Sequence, residues 1–210
     1  MSPPHEFAVS GSDTLHVGRV LALRLDQVRM PGGRLARREI VEHSGAVAIL
    51  PLRDDGSVVM IDQYRHAVGR RLRELPAGLL DTEGEDPLTT ARRELVEEVG
   101  YTAQDWSVLV DVVASPGFSD EAVRVFLARG LTEIGRPAGG DNEEADLSVV
   151  RVPLADAVRQ VLAGEIVNAS TIAGLLAAQA VLAGVAQPRP VDASWPDRPT
   201  RFADRAGTPK

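Results

Sequence analysis

The sequence predicts an α+β fold, because strand and helix patterns are mixed without the regular alternation of a doubly wound sheet. Segments that alternate apolar and polar residues, as half-buried strands do, occur in several parts of the chain. Hydrophobic residues make up 44% and charged residues 25% of the 210 residues. This balance is typical of a globular protein and not of a disordered or fibrous one.

These patterns divide the chain into three parts. Residues 1–43 are expected to form an N-terminal β arm, residues 44–186 a catalytic domain, and residues 187–210, with five prolines, an extended tail. The predicted strands cover 14–27, 35–42, 45–52, 57–65, 106–113, 122–129 and 147–154, and the predicted helices cover 87–99, 154–163 and 170–185. A Pro-Gly-Gly turn at 31–33 separates the first two strands, and residues 53–56 are typical of a hairpin turn.

Composition excludes several classes of function. The net charge of −7 argues against binding nucleic acid through a broad basic surface. The absence of cysteine excludes disulfides and thiolate chemistry, and a single lysine, Lys210, excludes a P-loop. The start of the sequence has no signal-peptide pattern, and the most apolar stretch, 172–186, is too short to span a membrane. A cytoplasmic protein is therefore expected.

The window 73–101, RELPAGLLDTEGEDPLTTARRELVEEVGY, carries the chemistry. Its helix has a predicted start at Asp86-Pro87 and a predicted stop at Gly100. Leu88, Ala91, Leu95 and Val99 form an apolar stripe at helical spacing. Glu94 and Glu98 lie four residues apart beside that stripe, so their carboxylates repel unless a cation lies between them. Hard carboxylate oxygens suit Mg²⁺ or Mn²⁺.

From Glu85 the window resembles the Nudix hydrolase box. The matching residues are Glu85, Arg93, Glu94, Leu95, Glu97, Glu98 and Gly100. In two departures, six residues instead of five separate Gly78 from Glu85, and Tyr101 replaces an aliphatic residue. The extra residue lies in a loop, so the register of the helix is unchanged.

The resemblance implies a hydrolase of nucleoside diphosphates, with a mixed sheet between helices in an α/β/α sandwich. Glu94 and Glu98 would be the main metal ligands, with help from Glu97 and the Ala77 carbonyl. Arg93 would hold the glutamates by ion pairing, and Glu85 would lie at the edge of the metal cluster.

Features outside the box resemble the ADP-ribose pyrophosphatase branch. They are Gln63-Tyr64-Arg65, the run 73–78, Pro116 within the segment 115–121, and the acidic segment 141–147. The substrate-binding candidates within them are Arg65, Arg73, Glu74, Pro116 and Gly117. Glu143 or Glu144 would act as general base, and the sequence does not separate the two.

Two alternative functions stay open at this stage. One is a Nudix hydrolase of another nucleotide sugar or dinucleotide, such as GDP-mannose or NADH. The other is a non-catalytic nucleotide-sensing module, which would be expected to have a degraded box and a DNA-binding domain.

The N-terminal arm predicts a homodimer in which two identical arms are exchanged. An uncovered strand edge favours aggregation, and the exchange would pair this edge and bury the apolar side of the arm. Four arginines in or beside the arm could reach the nucleotide of a partner subunit. They are Arg19, Arg24, Arg29 and Arg34.

Overall fold

The computed structural model describes residues 7–82, 84–137 and 146–206. These residues divide into two compact units. The first comprises the described residues of Met1–Gly45, Val113–Glu121 and Asp197–Lys210, and the second those of Ala46–Val112 and Ala122–Pro196.

The first unit is an antiparallel sheet with the strand order β1-β2-β3. The strands are β1 (Val9–Val17), β2 (Leu21–Arg29) and β3 (Leu35–His43). The Pro-Gly-Gly turn is confirmed, with positive φ at Gly32 and Gly33. The prediction of one strand over 14–27 was wrong, since the chain turns at Gly18, whose N–H donates to the Leu21 carbonyl. The apolar–polar alternation continues on both sides of this turn and therefore concealed it.

A buried ion cluster lies on one face of this sheet. Glu42 is fully buried and accepts hydrogen bonds from Arg24 and from Arg205 of helix α4 (Arg201–Ala206). Arg24 also donates to Asp26, which is itself buried. The Arg24 guanidinium is therefore bound within the sheet, and the expectation that one of the four arginines reaches a partner's nucleotide stays a prediction.

The second unit contains two sheets and the helices α1 (Pro87–Val99), α2 (Leu154–Leu162) and α3 (Ala169–Leu182). The sheet orders are β7-β4-β9-β8 and β10-β5-β6. Strands β4 and β9 are parallel, whereas β5 is antiparallel to both β10 and β6. The strands are β4 (Ala46–Pro51), β5 (Ser57–Arg65), β6 (Arg70–Glu74), β7 (Ala77–Leu79), β8 (Tyr101–Val113), β9 (Ala122–Glu133) and β10 (Ser148–Pro153).

The predicted hairpin between β4 and β5 forms only at its turn. The Arg53 N–H donates to the Ser57 carbonyl, and Leu52 and Val58 make a single antiparallel bridge. Beyond the turn, the two strands enter different sheets. Every residue of β4 is buried, as expected for a central strand covered on both faces. The strands that pair with it, β7 and β9, are distant from it in the sequence.

Two hydrophobic clusters lie on opposite faces of these strands. Alternate residues of β4, such as Val47 and Ile49, pack with Leu95 of α1, whereas Ala48 and Leu50 pack with Leu175 of α3. Successive residues of a strand point to opposite faces, so the strands lie between helices. The predicted α+β fold with a mixed sheet is confirmed.

The C-terminal tail is more ordered than the sequence predicts. Its residues 201–206 form α4. In the second unit, Arg124 is buried against the Trp195 ring, 4.7 Å from its centroid, and donates to the carbonyls of Ala193 and Ser194. A single antiparallel bridge between Arg189 and Val108 also attaches the tail to the second unit.

None of the helices in the described part of the chain is both long and apolar enough to cross a membrane.

Candidate active site

The box helix α1 has the predicted boundaries. The Asp86 carboxylate accepts hydrogen bonds from the N–H groups of Leu88 and Thr89, at 2.9 and 3.1 Å. At the other end Gly100 adopts a left-handed conformation, with φ of 73°. A Cβ atom there would lie 2.6 Å from the backbone nitrogen of Arg136. Glycine is therefore required both for its backbone angles and because there is no space for a side chain.

One face of α1 is fixed by the core. Ala91, Leu95 and Val99 are buried in the cluster that also contains Ile49 and Phe126. This packing sets the rotation of the helix, and residues adjacent to the stripe are thereby directed to a defined place.

Glu94 and Glu98 converge on two consecutive residues of β7. The Glu98 carboxylate is buried and accepts a hydrogen bond from the Ala77 N–H at 2.9 Å. The Glu94 carboxylate occupies the space beside Gly78, where a Cβ atom would lie 2.1 Å from Glu94 Oε1. Gly78 is therefore required because any side chain would displace Glu94.

Arg93 lies among three carboxylates of the box. It donates to Glu94 and Glu97 at 2.8 Å and to Glu85 at 3.2 Å. Hydrogen bonding to Arg93 lowers the pKa of Glu85. Burial works against the charge of Arg93, but hydrogen bonds to Glu85 and the charges of Glu94 and Glu97 outweigh it, so the pKa of Arg93 is raised. These contacts restrain the three carboxylates in place and favour the charged form of Glu85.

The oxygen donors of this site fit a divalent metal ion whose remaining ligands come from water and the bound substrate. The described residues contain no group of three or more His, Asp or Glu side chains arranged to hold a metal by themselves. Mg²⁺, however, is usually bound through one or two carboxylates, with water and substrate phosphates as its other ligands. Glu94 and Glu98, on the rigid helix beside Ala77 and Gly78, provide such a pair of oxygen donors.

The substrate-binding candidates of β5 and β6 lie on two different faces. Arg65 donates to the buried Glu74 carboxylate, at 2.6 Å from Nη2 to Oε2. Arg73 donates to Asp62 at 2.9 Å and to Gln160 of α2 at 3.2 Å. Because α1 and α2 contribute to different clusters, the structure does not bring Arg73 together with Arg65 and Glu74.

Pro116 and Gly117 lie in a turn of the first unit. The N–H groups of Phe118 and Ser119 donate to the Ser115 carbonyl, and the Val41 N–H of β3 donates to the Phe118 carbonyl. Gly117 lines a surface cavity of about 520 Å³ in that unit, together with Arg37 and Arg38. Glu143 and Glu144, the candidate bases, lie outside the described residues.

Tyr101, the departure at the end of the box, is buried but has polar partners. Its hydroxyl donates to Glu133 at 2.9 Å and accepts from Arg151 Nη2 at 2.6 Å. Burial and the hydrogen bond to Glu133 raise the pKa of Tyr101. Sequence analysis missed Glu133 and Arg151, which are far apart along the chain, although a buried tyrosine usually requires such partners.

Comparison with known proteins identifies the class that this fold and site define. Residues 42–173 match the model of the NUDIX domain. The chain belongs to the Nudix family.

Individual relatives show which members of the family the chain is similar to. The chain is 59% identical to an ADP-ribose pyrophosphatase of Mycobacterium tuberculosis, over 96% of this chain and 97% of that protein. It is 42% identical to an ADP-ribose pyrophosphatase of Bacillus subtilis, over 73% of this chain and 82% of that protein. A crystal structure of an ADP compounds hydrolase has the same fold, with a TM-score of 0.73 and 22% identity, over 89% of this chain and all of that one.

Proposed function

We propose that the chain hydrolyses the pyrophosphate bond of ADP-ribose to AMP and ribose 5-phosphate, with Mg²⁺ as the metal ion and Mn²⁺ as a substitute. The observation that carries the proposal is the convergence of Glu94 and Glu98 of the box on Ala77 and Gly78. The similarity to ADP-ribose pyrophosphatases over nearly the whole chain supports this substrate.

Each box residue has a distinct role in this proposal. Glu94 and Glu98 hold the metal ion, with Glu97 and the Ala77 carbonyl beside them, and Arg93 restrains the carboxylates. A metal ion held by these residues would supply charge neutralisation for the pyrophosphate oxygens and a lowered pKa for a water molecule. Arg65, which already pairs with Glu74, presents a guanidinium suited to a diphosphate or ribose oxygen.

Glu143 or Glu144 acts as general base in this proposal and accepts the proton of the attacking water. Both residues stay predictions from the acidic segment of the sequence. Replacement of each by Gln in turn would assign the role, because loss of the base lowers kcat with little change in KM.

We also propose that the chain forms a homodimer through its N-terminal sheet. Apolar side chains of the first unit are about half exposed, among them Val9, Leu15, Val17, Leu35 and Phe118. Exposed apolar side chains favour burial against another protein surface, and a two-fold dimer would bury them on both subunits at once. Light scattering across a concentration series tests this; a monomer at all concentrations would contradict it. A cytoplasmic location likewise stays a prediction.

The decisive experiment is hydrolysis of ADP-ribose in H₂¹⁸O with Mg²⁺, compared with excess EDTA. We expect AMP and ribose 5-phosphate, with one ¹⁸O atom in one of the two phosphates, and no reaction in EDTA. GDP-mannose and NADH serve as competing substrates. Release of free phosphate, cleavage of a glycosidic bond, or preference for a competing substrate would each reject the proposal.

A further inference from the structure

Gln63 of β5 has a buried side-chain oxygen that lacks a hydrogen-bond partner in the part of the chain that the structure describes. Burying a carbonyl without a partner costs on the order of 1–3 kcal/mol, since the group loses its hydrogen bonds to water. Most buried polar groups in folded proteins are therefore paired, and an exception calls for an explanation.

The alternation of β5 places Gln63 on the face that packs against the box helix. Val59 and Ile61 belong to the same cluster as Ala91 and Leu95 of α1. Gln63 and Arg65 continue this series at the same spacing of two residues, so all four side chains of the strand share one face. Gln63 therefore lies where the apolar contact with α1 ends and the polar surface begins.

The polar neighbour on this face is the ion pair between Arg65 and Glu74. Glu74 pairs opposite Ile61 in the sheet, and Arg65 donates to both of its carboxylate oxygens. Gln63 therefore lies between the core beneath α1 and the arginine that is placed at the substrate in the proposed function.

The surroundings give no structural reason for an amide at this position. The residue opposite Gln63 on β6 is Leu72, and Leu147, just before β10, is buried in the cluster beneath α1. An apolar side chain such as methionine would have a similar length and would avoid the cost of the buried oxygen. An amide that weakens the fold without completing a network indicates a role in binding.

We propose that Gln63 is a substrate-binding residue whose Oε1 accepts a hydrogen bond from an O–H or N–H donor of the nucleotide. The donor is either a ribose hydroxyl or the adenine amino group, which share this chemistry. The inference rests on the proposed function, and it adds a residue to which that function assigns no role. In the bound complex the oxygen regains the hydrogen bond that the fold does not supply.

The test is Gln63→Met, with Gln104→Met as the control at an exposed position of β8. Binding of ADP-ribose is measured by calorimetry in EDTA, where hydrolysis does not interfere, and stability is measured by thermal unfolding. We expect Gln63→Met to weaken binding and raise KM by about tenfold, to leave kcat within about threefold, and to leave Tm unchanged or higher. The control should alter none of these quantities.

Inosine diphosphate ribose, which lacks the adenine amino group, identifies the donor. If Gln63→Met weakens binding of this analogue as much as that of ADP-ribose, the donor is a ribose hydroxyl. If wild type and variant bind the analogue equally, the donor is the amino group.

Two results would overturn this inference and leave the proposed function intact. Unchanged ADP-ribose binding by Gln63→Met would mean that the amide does not contact the nucleotide. A lower Tm in both Gln63→Met and Gln63→Leu would mean that the amide has a structural role. A wild-type protein that neither binds nor hydrolyses ADP-ribose would instead overturn the proposed function and this inference together.

Discussion

Two charged clusters, one in each unit, differ in their balance of charge. In the first unit, the guanidiniums of Arg24 and Arg205 contact two carboxylates, Asp26 and Glu42. Charges of opposite sign are equal in number, and the Glu42 side chain is 0% exposed. A buried and balanced cluster of this kind does not require a further ion.

In the second unit, a single guanidinium is shared by three carboxylates. Arg93 contacts Glu85, Glu94 and Glu97, and its side chain is 32% exposed. Carboxylates outnumber the guanidinium within this cluster, and solvent reaches it. Charge balance and burial therefore separate an ion cluster that stabilises a fold from one suited to bind a cation.

The largest expected effect is on the stability of the first unit. Glu42→Gln removes the carboxylate that two guanidiniums share and leaves Arg24 buried without it. Breaking a buried pair on one side costs roughly 3–5 kcal/mol. Hydrogen exchange should show this as faster exchange of the amides of β2 and β3. Glu39→Gln, at an exposed position of β3, is the control; equal exchange in both variants would contradict a structural role.

The second effect is on catalysis. Glu94→Gln and Glu98→Gln each remove a ligand charge but little volume, so kcat should fall on the order of 10²-fold or more while the fold persists. Steady-state kinetics with Mg²⁺ and far-UV circular dichroism check both statements. Glu165→Gln, at an exposed position after α2, should behave as wild type. Near-normal activity of both box variants would reject the metal assignment.

The sequence predicted the cluster around Arg93 because its members are close along the chain. A capped helix and a fixed spacing determine which side chains share a face, so Glu94 and Glu98 could be located beside one another without a structure. The resemblance to the Nudix box predicted that Ala77 lies beside them, whereas the local pattern did not predict the strand β7, which has too few residues for a recognisable alternation.

The cluster around Glu42 could not be predicted from the sequence. Its pair between Arg205 and Glu42 joins residues 163 positions apart, and a tail with five prolines gives no helical signal before residue 201. The pairing of β4 with β9 was missed for the same reason. Local patterns identify a strand but do not identify its partner.

A smaller loss of stability is expected when the tail is detached from the sheet. Arg205→Met removes the donors to Glu42 and to Thr14 of β1. Arg24 remains to compensate Glu42, and the Arg205 side chain is 30% exposed, so we expect a loss of about 1–2 kcal/mol. Amide hydrogen exchange should become faster in β1 and β3. The control is Arg201→Met, at an exposed position of the same helix, which should leave the exchange rates unchanged.

The stabilisation by Glu42 should also depend on pH. Burial raises the pKa of Glu42, but hydrogen bonds from Arg205 and Arg24 outweigh this effect, and the net pKa is lowered. The stabilisation is therefore complete above the unfolded pKa of about 4.3 and is lost as the pH falls through the lower folded value. The free energies of unfolding of wild type and Glu42→Gln, measured in urea, should therefore approach each other below about pH 4. Their difference should change by at most about 1.4 kcal/mol per pH unit. A constant difference would exclude a charged Glu42.

The smallest expected effect is the coupling between Arg93 and Glu97, measured by a double-mutant cycle in EDTA. The two side chains are one helical turn apart and about one third exposed, a geometry worth about 0.2–0.5 kcal/mol. Arg93 also keeps Glu85 and Glu94 as partners when Glu97 is replaced, which reduces the coupling further. The cycle uses Arg93→Met, Glu97→Gln and the double variant, with Arg24→Met and Glu42→Gln as the matched cycle in the first unit. The buried pair should couple several times more strongly, because neither of its members can exchange its partner for water. Equal coupling energies in the two cycles would mean that burial and charge balance do not distinguish the clusters.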